Sequence, residues 1–282
     1  MAGEETTNAA AAPETSVPII SAAGPTLHGG SFLRRAPASL WPYETATGWG
    51  PWSAFFLVVL ITIVSLGVAM AGSVVLVHTS GRKLADVLTE GTPLVLFFVA
   101  QVLMILGAVV AALAKGGGLS RTLALKPPLG GFWSYAKALF LVLAAVTIYT
   151  AFSSYVMRRD VGEDLGEMVG LFRGPWWPMA LVVIGAGAPL SEELLFRGFL
   201  QTALVPTRLG YWGASLVTTT FWTVLHAGYS IAGLVEVFMI GLIFAWLLRR
   251  TGSLRVTLAC HAIYNTGIAL VLVFAPKEVL GF

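Results

Sequence analysis

Three charged side chains lie inside a single apolar stretch of this sequence. Glu192, Glu193 and Arg197 occur in the segment APLSEELLFRGFLQ. An ionised group at bilayer depth costs about 2.5 kcal/mol or more, so these side chains are expected to face the protein interior. On a helix Glu193 and Arg197 share one face, which lets the arginine neutralise that carboxylate. Glu192 lies about 100° around the helix without such a partner, and is therefore the carboxylate available for chemistry.

Two histidines and an asparagine occur in the apolar segments that follow. His226 lies in TTTFWTVLHAGY, and His261 and Asn265 lie four residues apart in LACHAIYNTG, on one helix face. Such a set suits the activation of water. A glutamate takes the proton of water, a histidine orients the water or binds a metal that acidifies it, and histidine with asparagine donates hydrogen bonds to an oxyanion.

The order and spacing of these residues resemble the CAAX-protease and bacteriocin-processing family of intramembrane proteases, also called the CPBP or Abi family. EELLFR at residues 192–197 is similar to the family's EExxxR, and HAIYN at residues 261–265 is similar to its HxxxN. His226 matches the histidine of the family's FxxxH, although Trp222 stands four residues before it and Phe221 one residue earlier. The resemblance covers roughly residues 177–275, about a third of the chain.

The resemblance implies a role for each residue of the motifs. Glu192 is implied as the general base toward water, with His226 beside it. His261 and Asn265 are implied as the groups that stabilise the oxyanion. Glu193 paired with Arg197 is implied as structural.

The resemblance leaves the use of a metal open, because the family has been described both as metalloproteases and as metal-independent glutamate proteases. No cofactor is favoured; zinc stays an alternative, with Glu192, His226 and His261 as its candidate ligands. The HExxH spacing of many zinc proteases is absent from the sequence. The glutamate mechanism is therefore the preferred interpretation.

The composition is that of a membrane protein. Of the 282 residues, 57% are hydrophobic and 11% are charged, and the mean hydropathy is +0.83. Soluble domains carry about a quarter charged residues. The basic residues lie at the ends of apolar runs rather than in clusters with aromatics, so the net charge of +3 does not indicate a nucleic-acid partner.

The apolar runs predict an all-α membrane protein, a polytopic transmembrane helix bundle of about seven spans, with a range of six to eight. A span needs about 20 apolar residues. The predicted spans are 52–77, 92–114, 132–156, 177–203, 211–228, 231–249 and 254–275.

The chain divides at the sequence level into a polar tail and a membrane domain. Residues 1–45 are predicted to be a disordered N-terminal tail, and residues 46–282 a polytopic domain with the protease-like core at 177–275. Residues 157–175 read either as an amphipathic helix at the membrane interface or as a solvated loop. Glu236, near the start of a predicted span, is either interfacial or lines the site.

The distribution of basic residues gives an orientation. In a seven-span topology nine of them fall on the side of the N-terminus and six on the other. Positive charge favours the cytoplasm, so the N-terminus is predicted to be cytoplasmic and the inner (plasma) membrane is the expected location.

The sequence thus predicts an intramembrane endopeptidase, whose partners are the lipid bilayer and a membrane-associated peptide or protein substrate. The reaction would take place in a polar cavity open to the cytoplasm. The alternative is a non-catalytic membrane protein of the same fold, such as an immunity or scaffold protein, or a small proton-coupled transporter. Buried carboxylates and histidines also build proton relays.

Overall fold

The computed structural model describes residues 42–81, 83, 91–115, 117–159 and 161–275, and every regular element in these ranges is a helix. The all-α prediction is therefore confirmed. Residues 1–41 of the predicted tail lie outside the described residues. Within its last residues, Tyr43 is buried and shares a hydrogen bond of 3.1 Å with the hydroxyl of Thr202.

Nine helices form the described structure. They are α1 (Pro51–Ser80), α2 (Thr92–Ala114), α3 (Gly118–Thr122), α4 (Phe132–Val156), α5 (Val161–Arg173), α6 (Trp177–Leu204), α7 (Gly210–Val224), α8 (Ile231–Thr251) and α9 (Leu254–Phe274). Local sequence marks several helix ends. Pro51 opens α1, the Ser230 side chain accepts from the Gly233 N–H at the start of α8, and Gly252 ends α8 at φ 68°.

Six of these helices are long and apolar enough to cross a membrane, which agrees with the predicted range of six to eight spans. They are α1, α2, α4, α6, α8 and α9. The predicted span 211–228 is instead the 15-residue helix α7 followed by turns. Fifteen residues extend only about 22 Å, which is shorter than the hydrocarbon core of about 30 Å.

Contacts between loops show that α7 nevertheless carries the chain from one end of the bundle to the other. At one end, the Ser253 hydroxyl donates to the Lys126 carbonyl at 2.5 Å. At the opposite end, the Ser230 N–H donates to Asp164 at 2.6 Å. We call these the Lys126 end and the Asp164 end. The residues before α1 lie at the Lys126 end, where Thr122 donates to the Ala46 carbonyl at 3.1 Å. The Tyr211 ring at the start of α7 lies 5.2 Å from the Arg249 guanidinium near the end of α8, so α7 begins at the Lys126 end. The described residues therefore pass between the two ends seven times.

The core of the bundle is built on α6 and α8. About half of the most apolar window of each is buried, against 17–28% for α1, α2 and α4, so the latter helices present most of their surface to lipid. Every residue of the segment Glu193–Leu200 in α6 is buried. Glu193 and Arg197 therefore lie in a fully enclosed segment of α6, as the cost of charge in lipid requires.

Helix α6 contains two wide π-helical segments, Leu181–Gly187 and Glu193–Leu200. Pro189 follows the first segment, and a proline inside a helix lacks an N–H and crowds the carbonyl four residues earlier. The wide turns also hold side chains of neighbouring helices: the carbonyls of Val183 and Ile184 accept hydrogen bonds from Gln101 at 3.0 Å and Asn265 at 3.1 Å. π-Helical turns often occur at functional sites.

Candidate active site

The ion pair expected within α6 is present. The Arg197 Nη1 donates to Glu193 Oε1 at 2.8 Å, and both side chains are fully buried. The guanidinium also lies 4.1 Å above the centre of the Trp222 ring, in a cation–π contact. The opposite charges and the cation–π contact offset part of the cost of complete burial.

Glu193 also contacts His261, which the sequence analysis did not anticipate. Its Oε1 lies 3.2 Å from His261 Nδ1. A carboxylate only accepts hydrogen bonds, so Nδ1 carries the proton and donates it. The other ring nitrogen, Nε2, points toward the neighbouring carboxylate and lies 3.9 Å from Glu192 Oε2. Glu193 thus fixes the orientation of the His261 ring.

Glu192 occupies a more open environment than Glu193. Its side chain is 18% exposed, whereas that of Glu193 is 0% exposed. The Glu192 Oε2 accepts a hydrogen bond of 2.6 Å from the indole Nε1 of Trp222. The two adjacent glutamates therefore have different surroundings: Glu193 is enclosed and paired with Arg197, and Glu192 reaches the cavity described below.

His226 is held by the residue four positions earlier. Its Nδ1 lies 3.0 Å from the backbone carbonyl of Trp222, and its ring packs edge-on against the indole with centroids 5.0 Å apart. A carbonyl only accepts, so Nδ1 donates and the Nε2 of a neutral ring is left as an acceptor. Tyr229 packs on the same ring, with centroids 5.6 Å apart.

Asn265 is oriented by the first wide turn of α6. One hydrogen of its Nδ2 is used by the Ile184 carbonyl at 3.1 Å. An amide nitrogen has two hydrogens, so a second donor remains.

One cavity of about 360 Å³ brings the predicted residues together, a volume in the range of ligand pockets. It lies in the half of the bundle next to the Asp164 end, and its walls are largely apolar. The lining includes all four candidate residues of the sequence analysis: Glu192, His226, His261 and Asn265. The same wall includes Trp222, Tyr229 and Tyr264.

A second polar cluster lines the cavity at the Asp164 end. Arg159 forms ion pairs with Asp164, at 2.5 Å, and with Glu236, and Tyr264 donates to Glu236 at 3.4 Å. Of the two options for Glu236, the structure favours the one in which it lines the site. Asp164 and Arg159 were missed because nothing in the local sequence indicates that α5 packs on the cavity.

The charge state of this cluster follows from its contacts. Burial alone would raise the pKa of Asp164, but hydrogen bonds from Ser230 and Arg159 and the positive charge of Arg159 hold that pKa below its usual value of 3.8. Burial raises the pKa of Tyr229 to about 12, and the nearby carboxylate of Glu192 adds to the effect. Tyr229 is therefore a neutral hydroxyl at physiological pH.

The three candidate zinc ligands Glu192, His226 and His261 all line the cavity. Within the described residues, no three His, Cys, Asp or Glu side chains converge as metal ligands do.

Comparison with known proteins agrees with the motifs. Residues 174–267 match the family model described as type II CAAX prenyl endopeptidase Rce1-like. This segment contains all three motifs on which the predicted resemblance rests, and the resemblance is confirmed. The match supports a CAAX-type intramembrane protease at the level of the family. Neither the curated proteins nor the solved structures give a match to the chain.

Proposed function

We propose that the protein is a glutamate-type intramembrane endopeptidase that hydrolyses a peptide bond of a membrane-associated substrate. The observation that carries the proposal is the position of Glu192. Its carboxylate lines a cavity within the membrane-spanning bundle, accepts a hydrogen bond from Trp222, and lies 3.9 Å from His261.

The first step is attack by water on the scissile carbonyl. Glu192 takes one proton from the water, and the resulting hydroxide adds to the carbonyl carbon. The Nε2 of His226, which is an acceptor in the neutral ring, orients the water. The enclosed apolar wall strengthens these interactions, because opposite charges attract more strongly where bulk water is excluded.

The oxyanion that forms needs donors that are already in place. Asn265 offers its second Nδ2 hydrogen. His261, whose ring is oriented by the contact of 3.2 Å between Nδ1 and Glu193, donates from Nε2 when that nitrogen also carries a proton. When the intermediate collapses, the peptide C–N bond breaks and Glu192 returns its proton to the leaving amine.

The proposed mechanism requires no metal ion. The steps above use only the chain's own side chains, and among the described residues no three His, Cys, Asp or Glu side chains converge as metal ligands do. A purified preparation is therefore expected to keep its activity after treatment with a strong chelator, with a zinc-dependent protease treated in parallel. Loss of activity on chelation and its recovery with zinc would contradict the glutamate mechanism.

The test of the function is peptide cleavage by protein reconstituted in liposomes. Internally quenched peptides ending in Cys-aliphatic-aliphatic-X, with and without a farnesyl group, are suitable probes because the matching family acts on prenylated CAAX ends. We expect cleavage by the wild type and its loss in Glu192→Ala and His226→Ala at unchanged protein levels. Equal cleavage by the wild type and both variants would contradict the roles of Glu192 and His226, and a wild type that cleaves none of the peptides would favour the non-catalytic alternatives.

A further inference from the structure

We propose that Trp222 is a positioning residue of this site. Its indole N–H fixes the carboxylate of Glu192, and its backbone carbonyl fixes the ring of His226. The inference rests on the proposed function, in which Glu192 and His226 act on water. Trp222 touches neither the water nor the peptide in this account, and acts through the two residues that do.

The contact with Glu192 is a short, charge-assisted hydrogen bond. The indole Nε1 donates to Oε2 at 2.6 Å, and Trp222 is only 2% exposed. Indole is a donor without acceptor capacity, so it pairs with the carboxylate only in this sense. Hydrogen bonds to ionised groups are shorter and stronger than neutral ones. The bond therefore restricts a carboxylate that would otherwise rotate within the cavity.

The contact with His226 comes from the same residue's backbone. The Trp222 carbonyl accepts from Nδ1 at 3.0 Å. This selects the tautomer in which Nε2 is free to accept a proton of water. One residue thus sets both the general base and the tautomer of the neighbouring histidine.

The indole itself is locked by its surroundings. The guanidinium of Arg197 covers one face at 4.1 Å, and the His261 ring packs edge-on with centroids 5.6 Å apart and an interplanar angle of 84°. Gly241 of α8 allows the close approach, because a Cβ there would lie 3.2 Å from the Trp222 Cε3. A side chain held on several sides is suited to hold another in turn.

Trp222 is also the position at which the chain departs from the FxxxH pattern. A phenylalanine fills much of the same space but has no N–H. Trp222→Phe therefore removes the donor while it retains an aromatic ring and the backbone carbonyl. Trp49 provides a matched control, since its indole Nε1 also donates, at 2.8 Å to the Ala111 carbonyl, and it does not line the cavity.

The activity test compares these two variants on a quenched peptide that the wild type cleaves. We expect Trp222→Phe to lower kcat about tenfold or more with KM within about twofold, as expected when a donor to a charged group is removed from an enzyme that still binds its substrate. Trp49→Phe should retain wild-type kcat. A wild-type kcat in Trp222→Phe would overturn the inference.

A second measurement does not depend on activity. In protein labelled with ¹⁵N at the indole nitrogens, the Trp222 N–H resonance is identified by its absence in Trp222→Phe. We expect it to move strongly upfield in Glu192→Ala, while the Trp49 resonance stays in place. If the phenylalanine variant does not fold, the Trp222 resonance is identified by its absence in Trp222→Tyr.

The two measurements separate the possible failures. If the chemical shift of the Trp222 indole N–H does not change in Glu192→Ala, the role of Trp222 is overturned, whether or not the protein cleaves the peptides. A shifted resonance in a wild type that cleaves none of the peptides would place the failure in the proposed function instead.

Discussion

Glu192 and Glu193 are adjacent in the sequence and lie in opposite environments. Glu193 is fully buried between Arg197 and His261, and Glu192 reaches the cavity. In the proposed mechanism the two carboxylates have different roles: Glu193 orients a histidine, and Glu192 takes a proton from water. We therefore predict that substitution of Glu193 lowers the stability of the fold, whereas substitution of Glu192 lowers activity.

Glu193→Gln is expected to destabilise the fold. It leaves the buried guanidinium of Arg197 without its counter-charge, and breaking a buried pair in this way costs about 3–5 kcal/mol. The control is Glu44→Gln, since the Glu44–Lys126 pair is exposed, at 78% and 43% of the two side chains, and such pairs contribute about 0–1 kcal/mol. Denaturant unfolding in mixed micelles measures both.

The double variant Glu193→Gln/Arg197→Met completes this test. It removes the unpaired charge, and we expect it to recover part of the lost free energy of unfolding. A Glu193→Gln variant as stable as Glu44→Gln would show that the ion pair does not stabilise the bundle.

Among the helices, α5 lies along the cavity wall and is held by hydrogen bonds at both of its ends. Near its first turn Asp164 accepts hydrogen bonds from the N–H and the hydroxyl of Ser230, at 2.6 and 3.0 Å. At its last residue Arg173 donates to the carbonyls of Leu272 and Ala275 at the end of α9. Leu165, Met168 and Phe172 lie between these ends and line the cavity. The polar contacts thus hold an amphipathic helix in place as one wall of the site.

Asp164→Asn is expected to weaken this attachment in a pH-dependent way. The pKa of Asp164 in the folded protein is below its usual 3.8, so its contribution is fully present above that value and is lost as the pH falls through the lower folded-state pKa. The difference in thermal midpoint between wild type and variant should therefore be largest near neutral pH and shrink below about pH 4. A difference that stays constant across this range would contradict the assignment.

The elements also show how far sequence reasoning reaches. The long apolar runs predicted the helices, and the four-residue spacing predicted the Glu193–Arg197 contact, because both depend on local periodicity. The bonds of Glu193 to His261 and of Trp222 to Glu192 join different helices, so no local pattern announces them. The wide turns of α6 were also missed, although Pro189 marks a helix interior that cannot remain regular.

In the whole molecule, the position of the cavity along the bundle is linked to the orientation of the chain in the membrane. The cavity lies toward the Asp164 end, whereas the residues before α1 lie at the Lys126 end. If the N-terminus is cytoplasmic, the Asp164 end faces away from the cytoplasm. A cytoplasmic N-terminus is therefore incompatible with a cavity that opens to the cytoplasm at the Asp164 end. Because basic residues are in excess on the N-terminal side, we retain the prediction that the N-terminus is cytoplasmic.

Cysteine labelling tests this topology. Cys260, the single cysteine, is buried and can be replaced by serine to give an unlabelled background. Lys126→Cys and Arg158→Cys then place exposed thiols at the two ends. With a membrane-impermeant maleimide, we expect the two positions to be labelled from opposite sides of sealed vesicles, with Lys126→Cys on the cytoplasmic side. Labelling of both from one side would contradict the seven passes.

We propose that Glu192 activates the water that cleaves the peptide. The most direct measurement compares Glu192→Gln with Glu236→Gln in single-turnover hydrolysis, because both replace a carboxylate that lines the same cavity. We predict that Glu192→Gln loses cleavage by about a thousandfold or more, given the combined loss of the base and its position, while Glu236→Gln remains within about tenfold of the wild type because Glu236 has no chemical step. Cleavage by folded Glu192→Gln at the wild-type rate would contradict the account.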